Sequence, residues 1–358
     1  MKNLTILAIE TSCDETSCSI VVDGIYEVCT STATSADMHE KTGGVVPEIA
    51  ARKQLESIAP VLQDCMQAYC TKKDIPFASA REFLMSNIDA IAVTVGPGLI
   101  GSLLVGVEAS KTLALLADRP LIAVNHLVGH IYANFLDNPE ILKLEESGDL
   151  FPAVVLVVSG GHTDLVLMQG HNDLKYLGGT LDDAAGEAFD KVARLLGLAK
   201  YLGGVQVSTQ AALCVDNTLK GKLPRPMLGQ PNFDFSFSGL KTAVRKLIED
   251  KAAPVDVICC EFEAAVCDVL VKKTMKAVQQ FNAKSVLLGG GVSANSQLRA
   301  RIGLAAKEHA IPVFMPPIRL CGDSAAYIAS AAYFKNSSLS IVGNFDNFVV
   351  DPSLGILD

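Results

Sequence analysis

None of the ten cysteines stands at Cys-x-x-Cys spacing to another, so the chain offers neither a zinc knuckle nor a disulfide framework. Several lie in apolar segments such as residues 257–271 and read as small buried hydrophobes. A reducing, cytoplasmic location is expected. Low-complexity tracts and long charge runs are missing, while apolar residues make up 49% of the chain, which excludes a disordered or fibrous protein. The first residues run into a strand pattern with no small-residue cleavage site, and export is not expected. Positive charge is in deficit, 30 basic against 39 acidic residues for a net charge of −9. That disfavours non-specific binding to nucleic acid, which depends on neutralising phosphates. Local basic clusters at Lys241, Arg245 and Lys246, and at Lys272 and Lys273, read equally well as solvated helix faces. Residues 90–107 carry no charge, but Gly96-Pro97-Gly98 splits them into a short strand and a following helix, neither expected to be long enough to cross a bilayer. No membrane partner is expected.

The densest positive signal lies in residues 286–302, an apolar strand running through Gly289, Gly290 and Gly291 toward a helix. Glycines strip side chains from a turn, so a planar or anionic ligand can approach backbone N–H groups at a helix N-terminus. Neither the GxGxxG nor the GxxxxGK[ST] spacing occurs. A tight strand-to-helix turn is the competing reading.

A chain of 358 residues suggests two domains. The pattern opens with a strand at residues 5–10, a polar loop at 11–17, a strand at 18–23 and more β pattern at 26–33. A helix over 47–69, a strand at 90–95, a helix over 102–115 and a strand at 121–124 follow. A second start comes at Phe151, with a strand at 153–159, a polar Gly-rich turn and a strand at 164–169. Two hairpins, each leading into mixed α/β structure, predict two similar domains with a cleft between them. Hairpin turns present N–H groups suited to phosphate, and the triple glycine suits a nucleoside.

Residues 181–191 read as a helix with acids on one side. Asp183, Glu187 and Lys191 fall at i, i+4 and i+8, one favourable and one unfavourable pair of about 0.2–0.5 kcal/mol each. A salt-laced surface helix and a ribose-binding helix are both consistent with that spacing. Residues 221–237, with three prolines and Phe233, Phe235 and Phe237, form a long irregular stretch that reads as a lid, an arm, a partner surface or an ordinary packed loop. A helix resumes over 239–249, and the tail from Asp323 to Lys335 is helical.

In Asn125-His126-Leu127-Val128-Gly129-His130, two of the six histidines stand one turn apart on a helix that Asn125 can cap. Imidazoles at that spacing can share a divalent metal. Asp323, opening a helix after a Pro-rich segment, is the candidate third ligand, although a helix cap is an equal reading. The zincin signature requires His-Glu-x-x-His, and Leu127 occupies the glutamate position, which counts against a metallopeptidase.

Taken in order, these segments resemble the bacterial TsaD-type tRNA N6-adenosine threonylcarbamoyltransferase family. The resemblance is carried by Glu10-Thr11-Ser12-Cys13-Asp14-Glu15-Thr16, Gly43-Gly44-Val45-Val46-Pro47-Glu48, Gly96-Pro97-Gly98-Leu99 and the Asn125 to His130 segment. It continues through Ser159-Gly160-Gly161-His162-Thr163, the acidic segment from Leu181 to Lys191, the segment from Phe235 to Thr242, and Gly289 to Asn295.

The resemblance implies an α/β fold of duplicated actin, Hsp70 and sugar-kinase-like (ribonuclease H-like) domains facing across a nucleotide cleft. It divides the chain into a first domain, 1–130, completed by a C-terminal helix, 323–345, and a second domain, 131–322. It further implies transfer of L-threonylcarbamoyl from threonylcarbamoyl-AMP to N6 of the adenine 3′ of the anticodon, position 37, in tRNAs reading ANN codons, with release of AMP. By the same analogy His126, His130 and Asp323 hold one divalent metal, Fe2+ or Zn2+. Val158, Ser159, Gly160, Gly161, His162, Asp190, Gly204 and Asn295 contact substrate or nucleotide, with ATP or ADP a further candidate occupant. Thr163, Asp183, Glu187 and the three glycines are weaker candidates.

Catalysis is expected to be metal-assisted, without a covalent nucleophile, because a mixed anhydride with AMP as leaving group chiefly needs orientation and charge neutralisation. Ser12, Asp14 and Glu15 are the candidate residues on the reaction side. The implied partners are tRNA, a TsaB-like paralogue docking on the first domain, a TsaE-like small ATPase and a TsaC-like synthase that supplies the donor. Departures from the family pattern are Gln54, Val128, Asp164, Leu202, Gly322 and Ser324. The rival functions are an acetate- or sugar-kinase-like phosphotransferase and a non-catalytic nucleotide-binding subunit.

Overall fold

Six consecutive buried residues, Thr-Ile-Leu-Ala-Ile-Glu, form β1 (Thr5–Glu10) at the centre of a five-stranded sheet. A strand in that position is covered on both faces, hence its unbroken apolar run. On one side β2 (Glu15–Val22) and β3 (Tyr26–Thr34) continue as an antiparallel meander, and on the other β4 (Ala90–Gly96) and β5 (Leu121–Asn125) run parallel to β1. The strand order is β3-β2-β1-β4-β5. Between β3 and β4 lie α1 (Ala36–Thr42), α2 (Pro47–Lys73) and α3 (Ala80–Asn87). Proline in the first turn of α2 forfeits no helical hydrogen bond, and the Ser79 hydroxyl caps α3 by accepting from Glu82 N–H. After β4 comes α4 (Ile100–Ala117), and after β5 comes α5 (His126–Tyr132). Leu7, Ile9, Ile20, Ile91 and Val93 meet Val61 and Cys65 of α2 and Val107 of α4 in the first core.

A short helix, α6 (Pro139–Glu146), leads into a second sheet of β6 (Ala153–Val158), β7 (Thr163–Gly170) and β8 (Asp173–Gly179). There follow α7 (Ala185–Leu195), α8 (Gly203–Ala211), α9 (Ser238–Glu249) and α10 (Val255–Phe281). The sheet is completed by β9 (Ser285–Gly289) and, beyond α11 (Ser296–Glu308), by β10 (Val313–Phe314). Its order, β10-β9-β6-β7-β8, repeats the first sheet: a central strand, an antiparallel meander to one side and parallel strands to the other. The chain then forms α12 (Ala325–Lys335), which packs on β1, β2 and α5.

The computed structural model describes residues 3–335 and 348–357. Two compact units are resolved, residues 1–142 with 322–358, and residues 143–321. The first unit therefore runs past the expected boundary at residue 130. Tyr132, the last residue of α5, stacks on Phe334 of α12, and Phe135 just beyond it packs tilted against the same ring, which keeps that stretch with the first unit. Of the C-terminal helix expected over 323–345, the part beyond Lys335 lies outside the described residues.

Three local expectations are corrected. The first hairpin is tighter than the polar pattern suggested, because β2 already begins at Glu15. Helix α4 reaches 18 residues and is long and apolar enough, by length and composition alone, to span a bilayer, where the sequence suggested a shorter one. Its Leu103, Gly106, Val107, Ser110 and Ala114 are buried, and the helix packs on β4 and α2. The acidic segment becomes helical only at Ala185, so Asp183 precedes α7 instead of lying on it.

Candidate functional site

Asn125, the last residue of β5, accepts from Leu127 N–H through its side-chain oxygen at 2.9 Å and so starts α5 at His126. This cap sets both histidines on one face, with ring centroids 4.6 Å apart. Asp323, just ahead of α12, brings Oδ1 to 3.5 Å from His126 Nε2 and 3.6 Å from His130 Nε2. Residues nearly 200 positions apart meet because α12 packs against α5, where a Cβ on Gly129 would fall 2.7 Å from Ile328. Glycine permits that approach. Tyr327 stands over His130 with centroids 4.9 Å apart.

The electrostatics of this cluster are congested. Glu10 is fully buried at the end of β1, and its Oε2 lies 2.9 Å from His126 Nδ1. Burial draws the His126 pKa down, but the carboxylates of Glu10 and Asp323 more than reverse this, to about 9. Burial also pushes Asp323 up to about 6, with Glu10 and Asp14 adding to the effect and His126 opposing it. Glu15 is raised to about 10 by burial and by Asp323 and Asp14. Carboxylates crowd two imidazoles here beyond what the histidines can balance. A divalent cation would relieve that imbalance, and two imidazole nitrogens with one carboxylate oxygen are a suitable donor set for a transition metal with open positions. Among the described residues, Asp14, Glu15 and Asp323 make a second group of converging carboxylates.

The loop bearing the reaction-side candidates is held by residues the sequence did not assign. Gln54 on α2 donates its amide to the carbonyls of Thr11, Cys13 and Glu15 at 3.3, 2.9 and 3.0 Å. This departure from the family pattern thus fastens the loop. Ser12 places Oγ 3.3 Å from His126 Nδ1, and Ser35 donates to the carbonyl of Asp14. Ser324 caps α12 by accepting from Ala326 N–H at 3.3 Å, and a side chain on Gly322 would meet nothing within 4 Å. Val128, another departure, is fully buried.

In the second unit, Ser159, Gly160, Gly161 and His162 form the turn between β6 and β7. Ser159 N–H donates to His162 O, and Ser159 Oγ accepts from His162 N–H. Gly160 and Gly161 are exposed with open space where a side chain would stand. Val158 is buried, so any ligand contact it makes is through its backbone. Thr163 is also buried, its hydroxyl accepting from Ala185 N–H to start α7, which commits it to structure.

Asp190 accepts from Gly203 N–H at 2.7 Å and ties α7 to the start of α8 beside Gly204. Its pKa is raised by burial against the pull of the Gly203 N–H and the Arg194 charge. Lys191 bridges Asp183 at 2.5 Å and Glu187 at 2.9 Å, so the like-charged acids share one cation. Asp164, a departure at the start of β7, accepts from Tyr176 OH at 3.1 Å.

The triple glycine divides its work. Gly289 and Gly290 are buried, Gly290 with φ of +86° and close against Val158 O, while Gly291 is exposed. They do not sit at the N-terminus of α11, as the sequence suggested. A 3-10 turn, Gly291–Ala294, intervenes, and Asn295 caps α11 by accepting from Leu298 N–H at 2.8 Å. The Asn295 amide donates to Ser208 Oγ and Glu263 Oε1.

The long irregular stretch is a packed loop. Phe235 and Phe237 are fully buried, and Glu261 on α10 accepts from Arg225, Asn217 and Gly221 N–H. Of the basic clusters, Lys273 is buried and donates to Asn232 O, its pKa lowered by burial and by Lys276. Asp182 joins the segments before α7 and α9, accepting from Ser236 Oγ, Ser238 Oγ and the N–H of Phe237. Glu10 and Asp182 were the missed residues. The sequence signal for Glu10 was a charge closing an otherwise apolar strand.

Comparison with known proteins agrees along nearly the whole chain. The family model for tRNA N6-adenosine threonylcarbamoyltransferase matches residues 27–330. A protein of that description from Dehalococcoides mccartyi is 46% identical over 356 residues, covering 99% of both chains. One from Moorella thermoacetica is 46% identical over 336 residues, covering 92% of this chain and 91% of its own. Among solved structures, HypF from T. kodakarensis superposes with a TM-score of 0.60 at 14% identity, over 92% of this chain and 47% of that one. That likeness identifies the duplicated α/β fold of the actin, Hsp70 and sugar-kinase class. By the extent and identity of these matches, the chain belongs to the tRNA N6-adenosine threonylcarbamoyltransferase family.

Proposed function

We propose that this acyltransferase moves the L-threonylcarbamoyl group of threonylcarbamoyl-AMP to N6 of the adenine 3′ of the anticodon, at position 37, in tRNAs reading ANN codons, and releases AMP. Threonylcarbamoyl transfer to tRNA is the activity of its family, and identity of 46% over 99% of the chain is the observation that carries the reading. His126, His130 and Asp323 are the proposed ligands of one Fe2+ or Zn2+ ion. Bound there, a divalent ion supplies Lewis acidity and positive charge for an acyl-phosphate donor.

The protein's own residues supply orientation. Gln54 fixes the backbone of the 11–15 loop, which holds Ser12 beside His126 and Asp14 and Glu15 beside Asp323. In the second unit, the exposed turn of Gly160 and Gly161 offers a backbone-lined surface for phosphate, and Gly291 one for the nucleoside. Asp190, Gly204 and Asn295 complete the proposed nucleotide contacts, and ATP or ADP would use the same surfaces. A mixed anhydride with AMP as leaving group needs little general-acid help, so a covalent nucleophile has no part in the proposal.

We assign the reaction to the cytoplasm, which ten free cysteines support. A TsaB-like paralogue is the proposed partner of the first unit, supported by exposed Leu55, Ile100 and Leu104 on α2 and α4. A TsaE-like ATPase and a TsaC-like synthase complete the proposed system. The test is transfer of labelled threonylcarbamoyl from pre-made adenylate to unmodified tRNA, with these partners present, by the wild type and His126→Ala. Labelled adenosine formed by the wild type and lost in the variant is expected. No product from an assembled complex would overturn the reading.

A further inference from the structure

We infer that Glu10 is a positioning residue for the metal centre: by accepting the Nδ1 proton of His126 it leaves the Nε2 lone pair aimed at the ion. The inference rests on the metal reading of His126, His130 and Asp323. Its basis is geometric. The Glu10 carboxylate accepts Thr94 Oγ1–H at Oε2 (2.6 Å) and Ser12 N–H at Oε1 (2.5 Å), and Nδ1 of the His126 ring faces Oε2 at 2.9 Å. With both oxygens already accepting from fixed donors, an ionised, acceptor-only carboxylate is the form that fits, and the ring nitrogen facing it then carries the hydrogen. Ser12 Oγ also faces Nδ1, but at 3.3 Å it is the longer contact, and it can accept as readily as donate.

The opposite ring nitrogen, Nε2, is the one that faces Asp323 at 3.5 Å. A carboxylate behind a ligand histidine fixes ring orientation and raises its basicity, and losing such a partner typically lowers metal affinity about 10–100-fold. Burial strengthens the device. With Glu10 fully buried, the ring has no water to exchange for its partner, and Thr94 on β4 locks the carboxylate from the far side. Strand β1 therefore contributes to the centre although it supplies no ligand.

The test uses the full-length chain loaded with Co2+ alone, with affinity read by chelator competition and geometry by the visible ligand-field spectrum. Wild type, Glu10→Gln and His130→Ala are compared. One tightly held Co2+ in the wild type, affinity lower by about 10–100-fold with an altered spectrum in Glu10→Gln, and loss of binding in His130→Ala are expected. Wild-type affinity and spectrum in a folded Glu10→Gln protein would overturn the role of Glu10 and leave the metal reading standing. No stoichiometric Co2+ in the wild type would overturn both. Should Glu10→Gln fail to fold, nitrogen-15 spectra of the Zn2+-loaded wild type decide: a proton on His126 Nδ1 supports the inference, and zinc on Nδ1 overturns it.

Discussion

Thr94 and His126 meet on one oxygen atom: the Thr94 hydroxyl lies 2.6 Å, and the His126 ring 2.9 Å, from Oε2 of Glu10. β1, β4 and α5 are thereby joined by a polar contact inside an apolar core. A buried carboxylate that loses a donor pays part of its desolvation cost. Thr94→Val is expected to lower stability by about 1–3 kcal/mol, read as a lower urea midpoint with an unchanged slope. An unchanged midpoint would mean that the hydroxyl does not support Glu10.

Gly290 combines φ of +86° with a Cβ position only 2.4 Å from Val158 O, whereas Gly291 has nothing within 4 Å. Gly290→Ala is expected to cost at least about 1–3 kcal/mol from backbone strain alone. Gly291→Ala should be tolerated. Equal unfolding midpoints for the two variants would contradict this assignment.

Arg225 pairs at 2.5 Å with Glu261, whose side chain is fully buried. Arg225→Ala leaves that carboxylate short of its cation, and a loss of about 3–5 kcal/mol is expected. The loop over residues 217–225 should become the earliest site of proteolytic cleavage. Stability and cleavage pattern matching the wild type would show the ion pair to be incidental.

Leu202 sits at φ of +50° with its side chain exposed, where an L residue is strained. Leu202→Asn should raise stability by about 0.5–1 kcal/mol, because asparagine tolerates this region. Leu202→Pro should be destabilising despite restoring the family residue, since the ring fixes φ near −65°. Differential scanning calorimetry on both variants distinguishes the two effects.

Acid should weaken the link between Asp182 and the start of α9. Burial raises the Asp182 pKa, but the hydroxyls of Ser236 and Ser238 and the N–H groups of Phe237 and Ser238 outweigh it and hold it below the usual aspartate range. A lowered folded pKa gives stability that is full above the unfolded value and is lost as pH falls through the folded one. The stability gap between wild type and Asp182→Asn should therefore be constant at neutral pH and close below about pH 4. A gap unchanged in acid would refute the assignment.

Much of this was legible in the sequence. The apolar runs of β1, β4, β6 and β9, the two hairpin starts and the Asn125 cap ahead of His126 are local patterns, because period, capping and turn chemistry act over a few residues. The order of motifs likewise determined the family. Local pattern does not report which distant side chains share a buried space. Tertiary packing decided that Asp323 meets His126 and His130, that Gln54 staples the 11–15 loop, and that Thr163 faces inward. It alone turned Glu10 from a charge at the end of an apolar strand into the partner of His126. A buried polar group must find its hydrogen bonds, and only the folded chain determines which groups are there to supply them.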